Sequence, residues 1–411
     1  MNSLQPSSRT HNVILYFQVH QPRRLRPVQF FDIGSGAPYF DDELNEQILQ
    51  RISSKCYLPT NRLLLNLIKK YPNIKVTFSI SGVTIDQFAE FAPEVLLSFR
   101  DLAETGSVEF LAETYFHSLA CMIPGDEFEI QVLKHAGKIK EHFGIYPTVF
   151  RNTELIYSND IGNRIRNLGF RGIISDGIER VLCNRSEHHL YSHPDHKDFK
   201  ILLRNYRLSD DVAFRWSHGL TVDTYMGWLN AIPENETLVT LAMDYETFGE
   251  HQKKETGIHK FLKNLLTRLE SESKYSMVTP SQVIESIEPH SQLNVPQFIS
   301  WADRERDLSA WLGNDMQRDA FDCLNKLQKA LKTIDDDELT NTWRQLQTSD
   351  HFYYMSTKTE DDGNIHSYFS PFCSPYEAFI NYMNVLADFT VRVKKRTSLK
   401  RKAPLVLQKR H

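Results

Sequence analysis

Through the first 290 residues, short apolar runs alternate with segments whose apolar positions recur at helical spacing. The runs at 13–19, 74–80, 108–111, 148–150, 172–175 and 238–243 predict buried strands, since apolar stretches this short suit a strand covered on both faces. Between them, Leu63, Leu64, Leu67 and Ile68 share one helical face, as do Phe128, Val132 and Ile139. Pro93-Glu94 opens another helix, which closes near Gly106. Strands separated by helices imply parallel βαβ units, and hence an α/β fold with its chemistry at the strand ends. A β/α barrel of about seven strands over residues 1–300 fits this pattern better than an open sheet. From about residue 303 the texture changes. Leu308, Trp311 and Leu312, then Phe321, Leu324, Leu327 and Leu331, keep helical spacing with no strand between them. Asp335-Asp336-Asp337 opens a further helix, because acids complement the dipole at a helix start. Residues 376–389 read as the last helix, so 301–390 form a helical bundle, with a basic tail at 391–411.

Composition narrows the partners. Hydrophobic residues at 41% and charged residues at 24% describe a soluble globular chain, and the longest early apolar run, at 13–17, is too short for a signal core or a membrane span. The expectation is a cytoplasmic protein with no membrane partner. The net charge of −4 hides an asymmetry: residues 391–411 carry nine Lys/Arg and no acid, leaving 39 bases against 52 acids before them. An acidic body of this kind excludes nucleic acid as the expected partner, and the tail reads as solvated. The five cysteines stand singly, which argues against a disulfide framework or a zinc–thiolate site. No GxGxxG or Walker motif follows any strand, which removes the usual nucleotide-binding signatures.

Polar clusters follow four of the strands: His20-Gln21-Pro22, Glu113 through His117, Arg151-Asn152-Thr153-Glu154, and Asp244 through His251. Singly, each could be a cap or a salt bridge. Together they converge on one mouth of a barrel. Two carboxylates flanking a bond can divide glycoside hydrolysis into two steps, one attacking the anomeric carbon and the other, kept protonated, donating to the leaving oxygen. Tyr115, Phe116, Tyr157, Tyr245 and Phe248 are candidate flat surfaces for sugar faces. Composition and spacing permit sugar chemistry without specifying it.

The ordered set His20-Gln21-Pro22, "AETYFHSL", "FRNTELIY", "MDYETFGEH" and "WADRERDLSAWLGNDMQ" resembles the five sequence regions of glycoside hydrolase family 57, and "QTSDHFYYM" (347–355) resembles the helical part of its α-amylase group. The match spans about residues 13–390. The resemblance implies an incomplete (β/α)7 barrel followed by a C-terminal helical bundle that completes the cleft. It further implies a retaining hydrolase of α-1,4-glucosidic bonds in starch, glycogen or maltodextrin. Glu154 matches the nucleophile of the family and Asp244 its acid/base. His20 and His117 match residues lining the scissile-sugar subsite. Glu113 and Glu246 would orient hydroxyls or tune the pair, and Asp307 and Trp311 would bring the helical part to the cleft. No cofactor is required, because the carboxylates supply both steps. The same pair would serve a 4-α-glucanotransferase or a branching enzyme, and a glucan-binding protein without turnover is the reading from outside enzymology.

His188, His189, His193 and His196 lie within nine residues, beside Glu187 and Asp195. The His189/His193 spacing would suit a transition metal on a helix. His193-Pro194 disfavours that helix and no predicted strand leads into the segment. It therefore reads as a polar surface loop, and no metal is expected.

Overall fold

The computed structural model describes residues 11–216 and 219–402. Its strands are β1 (His11–Val19), β2 (Val76–Ile80), β3 (Val108–Phe110), β4 (Val149–Arg151), β5 (Gly172–Asp176), β6 (Tyr191–Ser192), β7 (Lys200–Arg204), β8 (Leu238–Asp244), β9 (Tyr275–Met277) and β10 (Ser291–Gln292). They form one mixed sheet in which the β6–β7 pairing is antiparallel and the others are parallel. From β1 the pairing runs to β2 and β3, then through a bridge between Ala112 and Phe150 to β4. It continues through β5 and β7 to β8, which pairs again with β1. The fold is α/β, with a helical C-terminal region.

β1 shows why its run lacks a polar alternation. Val13, Leu15, Phe17 and Val19 pack outward with Leu64, Phe88 and Phe261 of the flanking helices. Ile14 and Tyr16 face the other way, among Leu111, Ile174, Leu202 and Ala242. Both faces are covered, which is the condition for a near-continuous apolar strand. The helices follow their expected faces. Leu58–Lys70 buries Leu64, Leu67 and Ile68, with Leu63 only partly covered. Glu127–Phe143 buries Phe128, Val132 and Ile139 and stops at Gly144, whose left-handed φ of 73° suits a residue without a Cβ. Pro93–Glu104 carries its proline in the first turn. Four strands lie outside the predicted set. β7 holds only Ile201, Leu202 and Leu203 between two basic residues, and β6, β9 and β10 have two or three residues, too few for a period to show.

The chain divides into two compact units. The first comprises residues to Gln21, Glu46–His117 and Pro124–Ala302 and holds the sheet. The second comprises Pro22–Asn45, Ser118–Ile123 and the chain from Asp303 onward. In this second unit the helix Pro375–Lys402 packs on Asp315–Lys326 and Gln328–Ile334. The segment Pro22–Asn45 is tied to that long helix by side-chain bonds: Val28 N–H donates to Asn381 (2.7 Å), Asn384 donates to the Val28 carbonyl (2.9 Å), and Tyr39 O–H donates to Asp388. Asn314 and Asp336 cap their helices, the second within the acidic triplet that marked a helix start. The last helix extends to Lys402 rather than ending at 389, because the basic residues that follow are good helix formers and complement the negative end of the dipole. The remaining tail residues, 403–411, lie outside the described residues. Among the described residues no helix is long and apolar enough to cross a membrane.

Candidate active site

The turn after β4 carries Glu154 in a left-handed conformation (φ 57°, ψ 24°), followed by Leu155 at φ 51°. Such geometry is uncommon for residues with a Cβ and persists only where surrounding bonds enforce it. Here Leu155 N–H donates to Asn152 O (2.9 Å), Asn152 Nδ2 donates to Ile156 O (3.0 Å), and Trp301 N–H donates to Glu154 O (3.2 Å). The carboxylate, 18% exposed, receives the Trp301 indole N–H on Oε2 (2.8 Å) and His117 Nε2 on Oε1 (3.3 Å).

His117 follows β3, also at a left-handed φ of 48°, and its Nδ1 lies 2.9 Å from Glu113 Oε2. An imidazole with a carboxylate on each nitrogen must donate from both, which requires the imidazolium. Burial pulls its pKa down, but the hydrogen bonds to Glu113 and Glu154 prevail and raise it to about 9. Glu113 is fully buried. Burial pushes its pKa up, yet the hydrogen bond and charge of His117, with Arg151 and His135 behind them, bring it down to about 2. Gln18 Nε2 donates to its other oxygen (3.3 Å). His20, at the end of β1, stacks on His117 with ring centroids 3.9 Å apart, and its Nδ1 lies 2.8 Å from Ser81 Oγ.

Asp244 ends β8 and lies in register with Gln18 of β1. Burial and the charge of Glu154 raise its pKa to about 6, against the lowering pull of Arg151, His117 and Arg204. Two residues on, Glu246 is buried, accepts from Tyr57 O–H, and receives Gln21 Nε2 at 3.4 Å. Burial, then the charge of Asp244, raise its pKa to about 8. Tyr57 reaches it from a π-helical turn, Ser53–Tyr57, a rare form of helix that is frequent at functional sites. Gly249, at φ 130°, closes the turn after β8 so tightly that a Cβ there would meet Lys55 O at 2.1 Å.

Two buried cations complete the cluster. Arg151 ends β4 and Arg204 ends β7, and their guanidinium carbons lie 5.3 and 5.4 Å from the Trp301 ring centroid. Arg204 Nε donates to Ala242 O (2.7 Å), and its Nη1 lies 3.4 Å from Asp176.

Thus His20, Glu113, His117, Glu154, Asp244 and Glu246 are brought together by the ends of β1, β3, β4 and β8. Asp307 and Trp311 belong to the second unit. There Asp307 accepts from Ser309 N–H (2.8 Å), and Trp311 is buried with its ring tilted against Tyr353, the interior position that its helical period dictates. The aromatic platforms expected from the sequence need correction. Tyr115, Phe116, Tyr157, Tyr245 and Phe248 are all buried, so none offers a face to a sugar. The half-buried Trp301 is the aromatic that touches the carboxylate. Trp301 opens the segment resembling the fifth family region, which gives it no role there, and Arg204 and Tyr57 carry no local signal as site residues. The histidine segment is a surface loop only in part, for a short strand and two of its histidines are interior. Tyr191–Ser192 forms β6, His188 and His193 are buried, and their nitrogens meet protein groups, with His188 Nδ1 2.8 Å from Glu236 and His193 Nε2 3.0 Å from Asn159 O. Among the described residues, the group of acids and histidines close enough to share an ion is Asp303, Glu305 and Asp362, and Lys358 already bridges the first two of these.

The model of glycosyl hydrolase family 57 matches residues 14–297. A Methanocaldococcus jannaschii protein bearing the name "Putative alpha-amylase" is 43% identical over 396 residues, covering 92% of this chain and 84% of that one. Among solved structures, a branching enzyme of family 57 type from Pyrococcus horikoshii shares the fold with a TM-score of 0.68 at 14% identity, over 88% of this chain and 87% of that one. A 4-α-glucanotransferase from Thermococcus litoralis does so with a TM-score of 0.64 at 15% identity, over 84% of this chain. The chain spans 56% of the transferase's length.

Proposed function

This chain belongs to glycosyl hydrolase family 57 and is a glycosidase-type enzyme, and on that premise we propose that it hydrolyses α-1,4-glucosidic bonds of starch, glycogen or maltodextrin with net retention. The strand-bearing unit, read as the incomplete (β/α)7 barrel of the family, carries the chemistry. One observation supports the reading above all: burial and the charge of Glu154 raise Asp244 to about 6, while His117 and Trp301 turn their N–H groups toward Glu154. Two carboxylates placed in such different surroundings have different tasks. In the first step a Glu154 oxygen attacks the anomeric carbon, the bond to the leaving oxygen breaks, and the Asp244 proton passes to that oxygen. In the second step Asp244, now a carboxylate, takes a proton from water, the water oxygen attacks the same carbon, and Glu154 leaves. The imidazolium of His117 balances the charge that Glu154 carries before attack and regains when the sugar leaves.

The relatives' names include a glucanotransferase and a branching enzyme, and the same two residues would pass the sugar to a hydroxyl instead of water. Incubation with maltoheptaose tests the proposal. Hydrolysis raises the number of reducing ends with every bond cut. Longer chains appearing without new reducing ends would make the protein a transferase, and no change in the sugar would leave it a glucan-binding protein.

A further inference from the structure

We propose that Trp301 is the positioning residue of the nucleophile: its indole N–H fixes the Glu154 carboxylate for attack, and the guanidinium groups of Arg151 and Arg204 hold and polarise that indole. The inference deepens the glycosidase reading and rests on it. Trp301 grips Glu154 at two points, backbone to backbone (3.2 Å) and indole Nε1–H to Oε2 (2.8 Å). The chain beside it is zipped in register, since Tyr157 and Ile299 exchange backbone bonds of 2.9 Å in each direction. A left-handed residue is thereby locked at its carbonyl and at its carboxylate together, which removes both the backbone and the side-chain freedom of the attacking group. The donor is neutral, so it sets the geometry without drawing charge from the carboxylate as a cation would.

The cations point to the same role. Arg151 is fully buried, and its Nε and both Nη groups have no hydrogen-bond partner among the described residues; its ion-pair contact is Glu113, at 3.6 Å. A buried guanidinium without hydrogen bonds is costly, and packing alone would be served better by an apolar side chain. What Arg151 does meet is the Trp301 ring, as Arg204 does. Cations over an indole attract its π electrons and strengthen its N–H as a donor. Arg204 also donates to the Ala242 carbonyl, two residues before Asp244. One indole therefore links the strand that ends in Asp244 to the turn that presents Glu154.

Trp301→Phe keeps a ring beneath the two guanidinium groups and removes the N–H. On maltoheptaose, kcat is expected to fall about 100-fold, the cost of a loosened attacking group, with KM within about twofold of wild type. The acidic limb of kcat/KM should move to higher pH, because the variant carboxylate has lost a donor that favours its ionised form. A variant that keeps more than half of wild-type kcat with an unmoved limb overturns the proposal. A wild type that leaves maltoheptaose intact defeats the glycosidase reading separately. In that case, or if Trp301→Phe does not fold, tryptophan emission of wild type and Glu154→Gln decides. A pH transition present in wild type and absent from Glu154→Gln upholds the indole–carboxylate contact, and identical profiles overturn it.

Discussion

The turn after β4 and the turn after β8 both present carboxylates from the ends of parallel strands, yet they are furnished in opposite ways. Around Glu154 the neighbours are donors, an imidazolium and an indole N–H. Around Asp244 and Glu246 burial dominates and like charges face one another, so both hold their protons well above the usual carboxylate range. The sequence pattern cannot distinguish them, since each is an acid one to four residues beyond an apolar run. What assigns the roles is the company that other strands bring, which is how one fold keeps an acid and a nucleophile side by side near neutral pH.

The sharpest way to break this contrast is Glu154→Gln. It removes the attacking charge while keeping the shape, and kcat on maltoheptaose is expected to fall by about 10⁴-fold or more. It also removes the negative charge that raises Asp244, so the Asp244 pKa should drop from about 6 toward its ordinary value, which a carboxyl-resolved NMR titration reads. An Asp244 titration identical in wild type and variant would mean that the two turns do not sense one another.

Asp244→Asn attacks the other side. Natural glucans should slow by about 10²–10⁴-fold, the usual worth of a positioned acid/base. Glucosides with an activated leaving group should lose much less in the first step, because they need little protonation. Equal losses on both substrate types would remove the acid role. In the wild type the same proton sets the basic limb: kcat/KM should decline about tenfold per unit above roughly pH 6, as the free enzyme loses the Asp244 proton.

Much of this site is legible in the linear pattern of the chain. His20, Glu113, His117, Glu154, Asp244 and Glu246 lie just past predicted strands, and parallel βαβ topology brings such ends to one mouth. The rest depends on contacts that local pattern does not encode. Trp301 opens the fifth family-like segment, yet its contact with Glu154 spans 147 residues of chain and it belongs to no strand or helix, so the motif alone gives it no role. Arg204 closes β7, whose three apolar residues made too short a run to mark it. Tyr57 reaches Glu246 from a π-helical turn whose hydrophobic spacing is that of the helices around it. The aromatic residues failed as sugar platforms because a residue beside a buried strand is as readily core as surface: Tyr245 and Phe248 pack on Phe17.

A smaller effect concerns stability. Glu246 holds its proton in the folded chain up to about pH 8, whereas the unfolded chain releases it near the ordinary value. Its contribution is therefore fully present below about pH 4.5 and is lost as pH rises toward 8. Glu246→Gln cannot ionise and keeps an acceptor for Tyr57, so at pH 8 it should be more stable than wild type by on the order of 4 kcal/mol, with the gap closing at pH 4. Urea unfolding midpoints at the two pH values check this. A gap that widens at low pH would reverse the sign and refute a protonated Glu246.

The contrast between the turns requires that Glu154, and not Asp244, forms the bond to sugar. A fluorinated glucosyl fluoride, which slows release of the glycosyl-enzyme, can trap that bond for peptide mapping by mass spectrometry after acid quench. One glucosyl unit should be found on the peptide containing Glu154, with the fragment ions placing it on that side chain. A label on Asp244, or an active enzyme that processes the reagent, releases a β-anomer and never carries a label, would contradict double displacement through Glu154.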